Sequence, residues 1–383
     1  MTDERRVLII AKSLDGGTGT FLEYFLQLKN RFSGKYQIEI IALDEPKFRT
    51  ATRFSVPLSI MRATSRESDV YRISPLTIIT MIKELHWIFR EANRIHPHII
   101  LTIDTHCAFL GCIYKLFHPT VRLVLTIHNN IRAVMQYKLT GWGRFIFMLI
   151  CQKLFCLADA VIGVSHGVSD DLEHVFALKK PVKTIYNGMP ICTGKHVPVR
   201  TLPVHLRYPV LISTGRLALQ KDVNTLICAI SIVKKTFPFV KLFLIGDGPD
   251  RTRLEQLVRQ FHLEGKILFE GWQSSLDAYY AHVDLFILSS HFEGFSYALL
   301  EAMKKGIPVI STDSPYGPSE ILDKGKAGIL VKPSDPDNMA NAIISLVKSP
   351  IRYQKFSRLA FKRSRYFSEE KMLKNYDALF DSL

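Results

Sequence analysis

Short apolar runs, each long enough to fill one buried strand, recur through this chain, and most are followed by a segment with helical spacing. Val7–Ala11 leads through a glycine-rich stretch into Phe21, Leu22, Phe25, Leu26 and Leu28. Further runs lie at Ile38–Leu43, Ile99–Ile103, Val121–Ile127 and Ala160–Val164. A strand that is apolar throughout has no face for water, so it belongs in a parallel sheet covered by helices on both sides. The pattern lapses after Thr184–Pro190 and resumes with Val210–Thr214, Val240–Ile245, Ile267–Phe269, Asp284–Ser289 and Pro308–Ser311. Helices are predicted between them over Asp222–Lys235, Asp250–Phe261, Ser275–His282 and Ser296–Lys304. The two series predict an α/β chain of two Rossmann-like, doubly wound domains facing each other across a cleft at the carboxyl ends of their strands. The expected boundaries are a domain over 1–190, a proline-bearing linker over 191–208 and a second domain over 209–350. An amphipathic helical segment over 351–383 is expected to pack across both.

With 383 residues, 47% of them hydrophobic and 22% charged, the chain has material for two cores and does not have the composition of a disordered protein. Its best apolar run, Phe145–Cys151, is stopped by Gln152 and Lys153, short of the roughly 18 residues a membrane span needs. The opening MTDERRVLII places acids before a short strand, which predicts no signal peptide. Six cysteines with neither a CxxC nor a zinc-type ladder are expected as buried free thiols of a reducing cytoplasm. The formal charge is +15, and residues 1–200 hold 26 Lys+Arg against 16 Asp+Glu. Lys47, Arg49, Arg53, Arg62, Arg66 and Arg72 concentrate part of that excess. Such a surface attracts phosphate, whether on a lipid, a small molecule or a nucleic acid. No zinc-finger, RNP-like or helix-turn-helix signature supports the last of these.

Three stretches carry chemistry. In Ser289-Ser-His-Phe-Glu-Gly-Phe-Ser-Tyr-Ala-Leu-Leu-Glu-Ala-Met303, a strand gives way to a loop with Glu293 and Gly294, then to a helix bearing Glu301. Amides at a helix start favour an anionic oxygen, and a carboxylate suits the paired hydroxyls of a sugar. The bland alternative is that both glutamates are solvated charges. In Thr214-Gly-Arg-Leu-Ala-Leu-Gln-Lys-Asp222, Arg216 and Lys221 follow a strand and precede a helix. Cations there are mildly unfavourable toward the helix dipole, whereas a diphosphate would use both, Arg216 as a fork and Lys221 as a point charge. In Ala11-Lys-Ser-Leu-Asp-Gly-Gly-Thr-Gly-Thr20, glycines permit close approach to a ligand. The spacing is neither the dinucleotide fingerprint nor the Walker loop, and a lone glycine loop is more often a turn.

Taken together, these elements resemble the family 4 glycosyltransferases, which have the two-domain GT-B fold and retain anomeric configuration. The E-x7-E element is Glu293…Glu301, and the Gly-Arg…Lys element is Gly215, Arg216 and Lys221. Gly16-Gly17, Leu244-Ile-Gly-Asp-Gly-Pro249, Val161-Ile-Gly-Val-Ser165 and Ile185-Tyr-Asn-Gly188 also match. The resemblance implies that Arg216 and Lys221 hold the donor diphosphate as it leaves, and that Glu301 binds the nucleotide ribose. Glu293, with the amides of Gly294, Phe295 and Ser296, would hold donor sugar and phosphate. Gly16 and Gly17 would approach the diphosphate from the other domain, and His128 would lie against the donor sugar; a hydrogen-bonded histidine at a strand end is the alternative. Pro315-Tyr-Gly-Pro-Ser-Glu-Ile321 replaces the Gly-Gly-x-x-Glu run of many members. It is similar to a branch of bacterial surface-polysaccharide and lipid-linked oligosaccharide transferases.

The implied activity is transfer of a hexose or N-acetylhexosamine from a nucleotide-diphosphate sugar, UDP being the commonest, to a glycan or lipid-linked acceptor. No cofactor and no metal are expected. The lone Asp-x-Asp, Asp335-Pro-Asp337, is expected to cap a helix over Asn338–Val347. Basic side chains can stabilise a departing diphosphate in a cation's place. An epimerase or phosphorylase on the same architecture is the nearest alternative. The Arg-rich region and Phe145–Cys151, flanked by Arg144 and Lys153, suggest docking on an anionic membrane, with a core helix as the alternative.

Overall fold

A computed structural model describes residues 4–32, 34–45, 54, 56–61, 75–139, 141–174, 176–178, 181–191 and 208–383. The Arg-rich cluster from Lys47 to Arg72 and nearly all of the expected linker lie outside the described residues. The chain divides into two compact units, Met1–Pro190 with Ser368–Leu383, and Ile191–Phe367.

The first unit is built on strands β1 (Arg5–Ala11), β2 (Tyr36–Ala42), β3 (Leu58–Ile60), β4 (Ile99–Ile103), β5 (Arg122–Ile127), β6 (Ala160–Gly163) and β7 (Lys183–Thr184). Its helices are α1 (Gly16–Phe25), α2 (Gln27–Arg31), α3 (Pro75–Ile95), α4 (Asp104–Phe117), α5 (Ile131–Lys138), α6 (Gly141–Phe155) and α7 (His166–His174). The strands form one parallel sheet in the order β3-β2-β1-β4-β5-β6-β7. Val7–Ala11 is fully buried, as a central parallel strand requires. Two short edge strands, β3 and β7, carry too few apolar residues to stand out in the sequence.

The second unit repeats the plan with β8 (Val210–Thr214), α8 (Val223–Thr236), β9 (Lys241–Ile245), α9 (Arg251–Gln260), β10 (Ile267–Gly271) and α10 (Asp277–His282). It continues through β11 (Leu285–Leu288), α11 (Tyr297–Lys304), β12 (Val309–Thr312), α12 (Pro318–Ile321), β13 (Ile329–Val331), α13 (Pro336–Val347) and α14 (Pro350–Ser364). The parallel sheet runs β10-β9-β8-β11-β12-β13. Its core joins Leu211, Leu242, Leu244, Leu285 and Ile287 of the strands to Leu226, Ile230 and Ile343 of the helices. Asp335 caps α13, its carboxylate accepting the Asn338 amide at 2.9 Å with Pro336 in the first turn.

The expected C-terminal segment is two helices rather than one, because Ser368 caps a new helix, α15 (Glu369–Asp381). α14 belongs to the second unit and α15 to the first. Tyr376 of α15 packs edge-on against Phe25 at 4.9 Å, and Asp377 accepts from Lys35 at 2.6 Å and from the Tyr36 hydroxyl at 2.7 Å. A bridge between Met189 and Ser368, with the Glu369 amide donating to the Met189 carbonyl at 2.9 Å, ties the helix to the sheet's last segment. Gly188 makes this approach possible, since a Cβ there would overlap the Ser368 carbonyl. Gly188→Ala is therefore expected to cost about 2 kcal/mol, the scale of overpacking a well-filled site. Hydrogen exchange should show the amides of α15 losing protection first, with β8–β13 unaffected.

Candidate functional site

In each sheet the strand order reverses beside the first strand of the unit, between β1 and β4 and between β8 and β11. Loops leaving the carboxyl ends of such a pair diverge to opposite faces and open a crevice. In the second unit those loops are Gly215–Asp222 and Ser289–Ser296, which carry Arg216, Lys221, Glu293, Gly294, Phe295 and Ser296. The concavity there is lined by Thr214, Arg216, Lys221, Ile245 and Ser289.

The two loops are stitched together by their own polar groups. The Ser289 hydroxyl donates to the Lys221 carbonyl at 2.7 Å, and the His291 amide donates to the Gln220 carbonyl at 2.8 Å. The Gln220 side chain donates to the Phe292 carbonyl at 3.0 Å. Glu293, only 4% exposed, is thereby held with its Oε1 accepting from both the Lys221 ammonium and the Ser290 hydroxyl, each at 2.6 Å. A carboxylate out of water is costly unless paired and hydrogen-bonded, and here it is both. The Glu293 carboxylate is thus no solvated helix-end charge. Arg216 is exposed and has no hydrogen-bond or ion-pair partner among the described residues, so its guanidinium is available to an anion.

Glycines set how closely these loops approach. Gly246, at φ +128°, abuts the Gly215 carbonyl, and Gly248 abuts the carbonyl of Leu217, so a side chain at either would push the Arg216 loop away. The Leu217 amide donates to the Asp247 carbonyl at 3.0 Å, and the Asp250 amide to the Leu217 carbonyl at the same distance. Beneath the Glu293 loop, Tyr316 and Gly317 both have positive φ, and a Cβ on Gly317 would lie 3.0 Å from the Gly294 carbonyl oxygen. The divergent Pro315–Ile321 segment therefore shapes the floor of the motif loop.

Ser296 caps α11, its hydroxyl accepting the Leu299 amide, and Glu301 sits one turn further along. Glu301 accepts the hydroxyl of the buried Tyr280 at 3.3 Å. Asp222 has a left-handed backbone, φ +42°, and caps α8 by accepting the Thr225 amide and hydroxyl, the latter at 2.6 Å. Ser290, Gln220 and Tyr280 were not legible as site residues. Ser290 lies within the motif stretch, but serine in a loop is too common to signal a carboxylate partner, and Tyr280 is distant in sequence.

The remaining candidates lie in the first unit. α1 begins within the glycine run rather than after it. Gly19 is required by the Leu14 carbonyl, against which a Cβ would collide. Gly16 and Gly17 are exposed, with nothing within 4 Å of a Cβ built on either; the left-handed backbone of Gly16, φ +61°, itself favours glycine, while neither packing nor a positive φ demands it at Gly17. His128 follows β5 directly and packs edge-on against Phe21, the ring centroids 4.6 Å apart. Burial holds its imidazole down at about 3, so the ring is neutral at ordinary pH. Its Nε2 is buried without a hydrogen-bond partner.

Two parallel α/β units, each with a switch point beside its first strand, are the architecture of the GT-B fold. The model described as glycosyltransferase family 4 matches residues 23–191, and that described as glycosyl transferases group 1 matches 201–363. The chain belongs to the family 4 glycosyltransferases. It is 31% identical over 250 residues to the poly(glycerol-phosphate) alpha-glucosyltransferase of Bacillus subtilis, a match covering 65% of this chain and 36% of that one. The chain thus spans about a third of that relative's length. It is 24% identical to the N-acetylgalactosamine-N,N'-diacetylbacillosaminyl-diphospho-undecaprenol 4-alpha-N-acetylgalactosaminyltransferase of Campylobacter jejuni, covering 72% of this chain and 75% of that one. The Anabaena Alr3699/HepE structure in complex with UDP-glucose superposes with a TM-score of 0.76 at 19% identity, covering 99% of this chain and 100% of the other.

Removing the ammonium alone should leave the Glu293 carboxylate buried with one hydroxyl. Lys221→Met is expected to destabilise the second unit by about 2 kcal/mol, below the figure for a fully buried pair because Lys221 keeps some solvent contact. Adding Glu293→Gln should recover roughly half of that loss, and urea denaturation of the two variants checks the order.

Proposed function

We propose that this chain is a retaining transferase that moves a hexose or N-acetylhexosamine from a UDP-sugar to a lipid-linked glycan acceptor in cell-surface polysaccharide synthesis. The observation that carries the reading is the ion pair of Lys221 with the buried Glu293, beside an Arg216 that has no partner among the described residues, at the second unit's switch point. As the bond between the sugar's C1 and the diphosphate breaks, negative charge accumulates on the leaving oxygen. Arg216 and Lys221 neutralise it, and Glu293 fixes the ammonium beforehand so that little reorganisation accompanies the step. The amides of Gly294, Phe295 and Ser296 hold donor oxygens at the start of α11. Glu301 takes the ribose hydroxyls, His128 lies against the donor sugar, and Gly16 and Gly17 leave room for the diphosphate. The UDP choice is supported by the ligand of the Anabaena neighbour and the lipid-linked acceptor by the name of the Campylobacter relative.

Glu293→Ala and Lys221→Ala should each lower kcat at least about a hundredfold, the cost of losing a transition-state donor or its anchor. Glu301→Ala should mainly raise the donor KM, because a hydroxyl contact serves ground and transition states alike. Diphosphate release with and without a lipid-linked acceptor measures both; near-wild-type turnover in the first two variants would overturn the assignment. Because two cationic side chains serve the leaving group, turnover in excess EDTA should match turnover without it.

The same reading places the first unit on a membrane. Trp142, Phe145, Ile146, Leu149 and Ile150 are 40–79% exposed and recur at one face of α6, while Phe147, Cys151 and Phe155 face inward. α3 is inverted in the same sense, with Leu76, Ile79 and Ile82 exposed and Thr77, Thr80 and Glu84 buried. An outward apolar stripe on an otherwise basic protein suits the headgroup boundary of an anionic leaflet. No helix among the described residues is long and apolar enough to cross a membrane. Sedimentation with anionic liposomes should pull the protein down, neutral liposomes should do so less, and Phe145→Ser with Leu149→Ser should release it. Equal binding to both vesicle types would overturn the electrostatic part of the docking.

A further inference from the structure

β4 passes into α4 without an intervening loop, and the residue at the junction, Asp104, has φ +67°. Non-glycine residues reach this left-handed region at a cost, aspartate and asparagine more readily than most. Such strain persists where neighbouring structure requires it, and here one carboxylate oxygen does. Asp104 Oδ1 accepts the backbone amide of His128 at 3.2 Å and the side-chain amide of Asn129 at 3.1 Å. β4 and β5 pair in parallel with Ile103 opposite Thr126, so Asp104 reaches across the end of the ladder to the turn that carries the imidazole. Asn130 closes the same turn from the other side by capping α5, accepting the Ala133 amide at 2.8 Å.

We propose that Asp104 is the positioning residue for His128, holding the His128–Asn129 turn so that the imidazole keeps its place against the donor sugar. The proposal rests on the role given to His128 above. A glycine would relieve the strain at 104 but would leave the His128 and Asn129 donors without their acceptor. Nature's use of a strained aspartate is then accounted for by the two bonds it makes. Burial raises the Asp104 carboxyl to about 6, and the bond from the His128 amide acts in the opposite direction. Near pH 7.5 the group is therefore mainly ionised and accepts both donors.

The test separates strain from positioning. Asp104→Gly removes left-handed strain but also the acceptor of two hydrogen bonds, so Tm should fall by a few degrees at most, while kcat falls about tenfold or more as the imidazole shifts relative to the reacting sugar and donor KM stays within about twofold. Asp104→Asn keeps an accepting oxygen and tolerates the same backbone, so kcat should stay within about threefold of wild type. In a His128→Ala background, Asp104→Gly should cause no further loss. A kcat for Asp104→Asn as low as that of Asp104→Gly would show that the accepting oxygen does not carry the effect and would overturn the proposal. Wild-type kcat in Asp104→Gly, or a full additional loss in the His128→Ala background, would overturn it while leaving His128 in place. Wild-type kcat in His128→Ala would refute the imidazole's role and the proposal together.

Discussion

A carboxylate removed from water must find its counter-charge on the spot, and Glu293 finds it in Lys221 and Ser290. That requirement couples two loops separated by some seventy residues of chain, one following β8 and the other β11. The coupling is reinforced by the Ser289, His291 and Gln220 bonds, so neither loop is free to choose its conformation alone. The glycines behind them serve the same end. Gly246, Gly248 and Gly317 are the positions at which a single methyl group would separate backbones that now touch. Preorganisation here means that the cationic and anionic groups are set before any ligand arrives.

The first unit solves a different problem with the same architecture. Packing demands glycine at Gly19, Gly163 and Gly188, whereas Gly16 and Gly17 have open space around a Cβ and Gly16 is held to glycine by its φ of +61°. His128 stands at the end of the neighbouring strand pair, neutral because burial opposes its charge, against a Phe21 ring that belongs to the helix begun by those glycines. Exposed apolar residues on α3 and α6 complete a unit whose outer surface does not read as that of an ordinary soluble domain.

Much of the fold was legible because parallel strands buried on both faces leave a strong imprint. β4 and β8 have the predicted bounds, and most other strands of the two series differ by a residue or two. The edge strands β3 and β7 were not legible, since a short edge strand needs little apolar content. The break between α14 and α15 hinges on Ser368, a single capping residue whose importance depends on what lies near it.

The sequence by itself determined the two α/β series, the family to which the chain belongs, and the residue types able to handle a diphosphate. These follow from periodicity and from motif spacing, which are local properties of the chain. Only the tertiary structure decided that Lys221 is spoken for by Glu293 while Arg216 is not, that Phe145 faces outward while Phe147 does not, and that Asp104 is bent into a left-handed backbone to serve His128. Each of these depends on which distant residue arrives beside which, and at what distance. Burial and pairing are properties of that arrangement, so no reading of one residue and its neighbours could supply them.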